Sequence, residues 1–317
     1  MSVKKAIIMF VLSNMLLGCI NEDLSVCRTE HKTPHHLTFE YTHNIDFTDK
    51  FTDVLETVYV FVFDSNLKLI KIVSAGKTGL EAASYKMTLN LCDGIYTFVV
   101  WVNAHKSYRI FDNMGSTAPV TGGISQFEHM RLALDFGQSL ENTGDLLYGV
   151  ARNVRVEPGM PEHTHIGLTK NTNIINVTVA GLSNLEDSSL DIICVAANGE
   201  YRFDNSVSKP ETMIHYIPER ENTGDELKAS FKTLRLTSGM KSELTVRNTN
   251  NYDNIFSRNL IELIMLSPNI DTDDDLDRND IYDIKIDLHT GMSSSVIVNG
   301  YLVIDSEQEL RMWNYEL

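Results

Sequence analysis

Three features of this 317-residue sequence predict an all-β chain, built as two β-sandwich domains in tandem behind an export signal. Apolar residues recur at every second position through most of the chain, which is the period of a strand with one wet face. Other short runs are apolar on both faces, as in strands covered by a second layer. Turn-forming pairs containing glycine punctuate these runs. At roughly 100–200 residues per domain, the length accommodates two cores.

Composition narrows the classes further. A hydrophobic content of 43% alongside a net charge of −16 (27 basic, 43 acidic residues) excludes bulk disorder, which pairs high charge with low hydrophobicity. The acidic balance lacks the basic footprint of a nucleic-acid binder, so no nucleic acid is expected. Four cysteines are too few for a disulfide scaffold, and seven prolines with 18 glycines exclude a collagen-like or proline-rich stalk.

The N-terminal residues set the compartment. Lys4 and Lys5 precede a mostly apolar stretch, Ala6 to Leu17, broken only by Ser13 and Asn14. It is shorter than the ~20 residues a bilayer span needs and has the length of a signal-peptide core. Leu16-Leu17-Gly18-Cys19 then resembles a bacterial lipobox. On that reading residues 1–18 are a lipoprotein signal peptide, and Cys19 receives a diacylglycerol on sulfur and an acyl chain on its new amine. One chain holds a protein only marginally; two or more make the tether stable. Residues 19–36 form the acylated linker. The residue after Cys19 is not aspartate and Glu22-Asp23 follow, which fits sorting to the outer membrane, with the cell exterior as the expected face.

The first domain is expected over residues 37–168. Leu37, Phe39 and Tyr41 alternate with polar residues, as do Tyr85, Met87, Leu89 and Leu91. Val58–Asp64 and Ile95–Asn103 are apolar on both faces and belong in covered strands. Turns are expected at Asp93-Gly94, Gly122-Gly123 and Pro158-Gly159. Ile124–Leu134 has nearly helical spacing but also reads as a strand. The polar stretch around Leu168–Lys170 marks the cut.

The second domain is expected over residues 169–317. Ile175, Val177 and Val179 alternate, and Tyr282, Ile284, Ile286 and Leu288 do so most cleanly. Val296–Ile304 reads as one covered run. Asn198-Gly199 carries the signal of a two-residue hairpin, because a type I′ turn needs positive φ twice. Ser257–Leu266 could begin a helix from a Ser257 cap.

No chemistry-bearing constellation emerges. Of the cysteines left after acylation, Cys194 lies mid-strand as a small hydrophobe, so Cys27 and Cys92 are the candidate disulfide in an oxidising envelope. Asp271–Asp280 fails as an EF-hand, having Arg278 where glycine is needed and Ile284 where a bidentate Glu belongs; it reads as a solvated loop. Histidines 31, 35, 36, 163 and 165 lack metal-site spacing, and Gly76–Thr78 lacks the upstream glycine of a phosphate loop. No nucleophile elbow or triad can be picked out. The reading is of a non-enzyme without catalytic residues, cofactor or metal.

A series of stretches carries a family resemblance: Cys19–Cys27, Leu37–Asn44, Val58–Ile70, Asp93–Asn103, Asp145–Gly149, Leu168–Val179, Ala197–Asn205, Leu276–Ile286 and Val298–Val303. In this order and spacing the chain resembles the FimB/minor-fimbrium anchor subunit family of fimbrial lipoproteins, found in type V pilus systems. Tyr301 stands where that family often has tryptophan, and the tail Asp305–Leu317 extends past the last motif. The resemblance implies two transthyretin-like β-sandwich domains and an outer-membrane lipid anchor at Cys19. It also implies a place at the base of a surface fimbrium, with stalk or accessory subunits as partners.

Such pili join by strand addition, in which main-chain hydrogen bonds supply affinity and alternate side chains supply register. The resemblance implies that stalk subunits free a groove by cleavage after an arginine, a cut that would cost an anchor its lipid. Here Arg28 is followed by no arginine until Arg109. The strand Leu37–Asn44 is therefore expected to stay in place, leaving Val296–Leu317 to engage the first stalk subunit. The alternatives are an accessory or tip subunit, or a surface adhesin that binds host or glycan ligands through loops such as Tyr108–Gly123 or Asp271–Asp280. An envelope hydrolase is the third reading, lacking any convergent catalytic group.

Overall fold

The fold is given by a computed structural model, which describes residues 32–113, 117–135, 140, 143–160, 162–182, 190–222, 225–288 and 294–305. The first half runs through β1 (Thr33–His43), α1 (Phe51–Val54), β2 (Thr57–Phe63), β3 (Leu69–Gly76), α2 (Lys77–Ala82), β4 (Met87–Leu91) and β5 (Gly94–Val102). It continues with β6 (Tyr108–Asn113), β7 (Thr117–Ala118), β8 (Met130–Leu134), β9 (Leu147–Val156) and β10 (His163–Lys170). The second half begins with β11 (Thr172–Ala180), β12 (Leu190–Ala196), β13 (Glu200–Arg202), β14 (Ile214–Tyr216), β15 (Glu219–Asn222) and β16 (Leu227–Leu234). After it come β17 (Ser242–Asn248), β18 (Asn254–Arg258), α3 (Leu260–Met265), α4 (Asp273–Arg278), β19 (Ile281–Leu288), β20 (Ser294–Val298) and β21 (Tyr301–Ile304). The all-β class expected from the alternation is the class observed.

Seven strands form the first sheet in the order β3-β2-β5-β9-β10-β1-β4. Strands β9 and β10 pair only through Leu147–Lys170 and Tyr148–Thr169, and the sheet turns a corner there. Gly149 sits at that corner, where a Cβ would lie 2.7 Å from Leu168 and 2.8 Å from the Gly167 carbonyl. The fold-over closes a core in which Leu37, Phe39 and Tyr41 of β1 and Leu89 of β4 join Val58, Val60 and Val62 of β2 and Phe98 and Val100 of β5.

The opposite faces of β2 and β5 explain why those runs are apolar on both sides. Phe61, Phe63, Val99 and Trp101 point away from the first core, into a second one shared with Met130 and Leu132 of β8 and with Tyr201 and Phe203. Trp101 packs 4.9 Å from Tyr148, and Phe61 meets Phe203 edge-on at 4.9 Å. These strands are thus a middle layer, covered on one side by β10-β1-β4 and on the other by the sheet β13-β8-β6-β7.

In the second half the six-stranded sheet β15-β16-β11-β19-β20-β21 faces the four-stranded sheet β14-β12-β17-β18. Ile175, Val177 and Val179 from one, and Ile192, Cys194, Leu244 and Val246 from the other, continue the same core. Strand β13 leaves this half to pair with β8 of the first, Glu200–Arg202 lying against Arg131–Ala133.

That excursion corrects one expectation. Asn198-Gly199 is not a hairpin turn: neither residue has positive φ, and β13 does not return along β12. The Asn198 amide instead donates to the carbonyls of Leu234 and Arg235, and its oxygen accepts from the Tyr216 hydroxyl, which pins a crossover. The two-residue hairpin lies inside the run read as one strand, at Asn299-Gly300, with φ of 48° and 85° between β20 and β21. Ile124–Leu134 resolves as a turn followed by β8. Helix α3 is capped two residues later than expected, by Asn259, whose side chain accepts from the Ile261 and Glu262 amides. The acidic loop contains α4, started by a capping box between Thr272 and Asp275.

Candidate functional site

Strand β1 is hydrogen-bonded along both edges. It runs parallel to β10, with Leu37 opposite Thr164 and Phe39 opposite Ile166, and antiparallel to β4, with Thr33 opposite Leu91. Its side chains Leu37, Phe39 and Tyr41 are buried. The chain beyond it turns over buried Asn44, whose amide donates to the carbonyls of Tyr41 and Thr48. This turn holds Phe47 at φ 53°, in the left-handed region that a bulky residue rarely adopts.

At the other end of the described chain, β21 closes the six-stranded sheet, with β20 as its only neighbour among the described residues. Val296 and Val298 of β20 are buried, whereas Tyr301 and Leu302 of β21 are exposed. The remainder of the tail expected to engage a partner, residues 306–317, lies outside the described residues.

These two ends meet at a cleft of about 370 Å³. Ile45 and Phe47 from the turn after β1 line one side. Ser267, Asn269 and Ile270 from the α3–α4 connection and Asp275, Arg278 and Asn279 around α4 also line it. Asn299 and Tyr301 of the β20–β21 hairpin complete it. The Arg278 guanidinium lies 4.7 Å from the Phe47 ring centre and is held there by Asp274 at 2.9 Å. Phe47 is 68% exposed, among the most exposed large apolar side chains described.

Behind the cleft a charged network joins the two halves. Lys170, 7% exposed, pairs with Asp145 at 3.1 Å and Asp280 at 3.5 Å, and Lys232 reaches Asp145 at 3.2 Å. Burial alone would raise the Asp145 carboxyl, but the two ammonium groups outweigh it and hold it below its usual range. Asp277 goes the other way: burial, reinforced by Asp273 and Asp274 and opposed by Arg235, pushes it up to about 6.

The other candidates from the sequence take structural positions. Cys19 and Cys27 lie outside the described residues, Cys92 is disulfide-bonded, and Cys194 is a free thiol pushed up to about 12 by burial. No group of three potential metal ligands is brought together among the described residues. His163 and His165 hydrogen-bond the Thr38 hydroxyl, and His165 also meets Glu40 at 2.6 Å. Lys77 of the Gly76–Thr78 stretch donates to the Thr52 carbonyl. In the acidic segment, Asp273 accepts from the Ser238 amide, 35 residues away, and Asp275 from the amide and hydroxyl of Thr272, so both carboxylates serve the fold. Of the two loops considered for ligand contact, residues 271–280 contribute to the cleft, whereas Tyr108 and Phe111 of the other are buried. Ile45 and Phe47 were not legible as cleft residues, because two apolar side chains in a polar turn follow no period.

Comparison with known proteins places this architecture. The family model described as fimbrillin-A associated anchor proteins Mfa1 and Mfa2 matches residues 24–307. The minor fimbrium anchoring subunit Mfa2 of Porphyromonas gingivalis is 29% identical over 233 residues, which are 69% of each chain. A crystal structure of a candidate polysaccharide-binding protein from Bacteroides thetaiotaomicron superposes with a TM-score of 0.76 at 25% identity, covering 87% of this chain and 99% of that one. The structure of the fimbrial anchor protein Mfa2 from P. gingivalis has the same fold, with a TM-score of 0.70 at 23% identity over 86% and 99% of the two chains.

Proposed function

Because the chain belongs to the family of fimbrillin-A associated anchor proteins, we propose that it is the lipid-tethered base of a surface fimbrium. On this reading acylated Cys19 holds it in the outer membrane, and the C-terminal segment from Val296 joins the first stalk subunit by strand addition. The fimbrium-associated role follows from the family; the tether and the joint are the proposal.

The observation that carries the proposal is the contrast between the two ends. Strand β1 is paired on both edges and buried on its inner face, which leaves no position there for a donated strand. Strand β21 has one neighbour among the described residues and outward apolar side chains, the features of an edge prone to strand addition. Cys92 is bonded and Cys194 is free, and on this reading, with Cys19 acylated, Cys27 is proposed as the partner of Cys92. A bridge there ties the linker to the edge strand β4.

Truncation at Ser306, followed by electron microscopy of cells and culture supernatant, tests the joint. Shed fimbriae are the expected result, and normal attached fimbriae reject the tail as the joint. A second reading, glycan contact at the cell surface, is supported by likeness to the candidate polysaccharide-binding protein and by the Phe47–Tyr301 cleft. It is compatible with the membrane tether, which uses different residues, but it shares Asn299 and Tyr301 with the segment proposed as the joint.

A further inference from the structure

We propose that the cleft between Phe47 and Tyr301 binds an uncharged saccharide unit, an assignment that rests on the second reading above and gives it a location. A sugar ring offers a C–H face and a rim of hydroxyls. The first packs on the electron-rich face of an aromatic ring, and the second needs fixed donors and acceptors together. The cleft supplies both. Phe47 is 68% and Tyr301 44% exposed, and both line a space near the lower end of the ~300–1,000 Å³ range of small-ligand pockets.

Three asparagines provide the polar rim, each anchored at one end. Asn269 donates its amide to the Tyr301 hydroxyl at 3.3 Å, and Asn279 donates to the Asp275 carbonyl at 2.7 Å. Asn299 accepts from the Asp283 amide at 2.9 Å. The amide oxygens of Asn269 and Asn279 and the amide nitrogen of Asn299 have no partner among the described residues. One acceptor–donor set is thus fixed in place before any ligand arrives, which lowers the ordering cost of binding.

The charges in the cleft are already paired, which selects against an ionic ligand. Arg278 is engaged by Asp274 and stacked on Phe47, and the Asp275 carboxylate accepts from the Asp271 amide and from the amide and hydroxyl of Thr272. The backbone at Phe47 adds a further sign. The turn keeps a bulky residue at positive φ through the Asn44 hydrogen bonds and the Phe47 amide bond to the Asn44 carbonyl, yet the ring it presents is not packed into the core. Strain of this kind persists where surrounding structure holds it, and it clusters at ligand sites.

The test uses the full chain purified in detergent, on an array of neutral, sialylated and sulfated oligosaccharides, followed by calorimetry with the best neutral binder. Saturable binding to neutral glycans is expected. Phe47→Ala and Asn269→Ala should each weaken it at least tenfold, Phe47→Tyr should retain it, and all variants should melt as the parent does. Parent binding that survives both alanine substitutions overturns the location and leaves the glycan reading standing. Saturable binding only to the sialylated or sulfated members overturns the assignment of an uncharged ligand, and no saccharide binding overturns the location and the reading together.

Discussion

The hydroxyl of Tyr41 on β1 donates to the carboxylate of Asp280 just before β19, with distances of 3.0 and 3.2 Å to its two oxygens, and so bridges 239 residues of sequence. Burial, with the neighbouring Asp280 charge, raises the phenol well above the usual range, so it remains a donor throughout the working pH of the protein. Tyr41→Phe keeps the ring in the first core and removes the donor. A bond to a charged acceptor is worth ~1.5–3 kcal/mol, so a loss of about 2 kcal/mol in urea unfolding is expected. An unchanged midpoint would show that the contact contributes nothing to stability.

Asp145 is the shared counter-charge of Lys170 and Lys232. Asp145→Asn leaves a nearly buried ammonium with only Asp280 nearby, and a loss of about 3 kcal/mol is expected near neutral pH. The sign with pH follows from its lowered carboxyl. The contribution is present above the unfolded-state value and disappears as pH falls through the folded one. Parent and variant unfolding curves should therefore converge in acid; a gap that stays constant down to strong acid would contradict the assignment.

Asp277 predicts the opposite slope. Its carboxyl is raised from 3.8 to about 6, so the folded state holds a proton that the unfolded state releases. Stability from this group is complete below pH ~4 and is lost as pH rises to about 6, by up to about 3 kcal/mol at ~1.4 kcal/mol per unit. Asp277→Asn should flatten that part of the stability–pH profile. Equal slopes in parent and variant between pH 4 and 6 would remove Asp277 from the account.

Gly181 follows β11 at φ +83°, and a Cβ there would lie 2.2 Å from the Leu288 carbonyl oxygen at the end of β19. Gly181→Ala combines positive-φ strain with displacement of a neighbouring strand. A loss of about 2–3 kcal/mol in thermal or denaturant unfolding is expected. A neutral result would mean that the β11–β19 pairing yields at this end without cost.

Cys19→Ser tests the tether without touching either core. Fractionation should move the protein from the membrane pellet to the soluble fraction while its melting temperature stays unchanged, since two or more acyl chains are what hold a stable anchor. Retention in the pellet would point to attachment by another route.

The strand pattern itself was legible residue by residue. Alternation at Leu37, Phe39 and Tyr41 and at Tyr282, Ile284 and Ile286 reports which side chains face a core. The two-faced runs of β2 and β5 announced a middle layer, because a strand apolar on both sides has to be covered on both. Those are properties of each segment and its immediate surroundings, and a single sequence carries them. Which strands meet is a different kind of fact. Asn198-Gly199 has the composition of a hairpin and serves a crossover, because its conformation is set by Leu234, Arg235 and Tyr216 rather than by its neighbours in sequence. The cleft likewise gathers Phe47, Arg278 and Tyr301 from distant stretches, and its polar groups take their roles from partners that only the closed fold supplies. Periodicity fixes which face of a strand is dry; the long-range packing of several sheets decides what that strand lies beside.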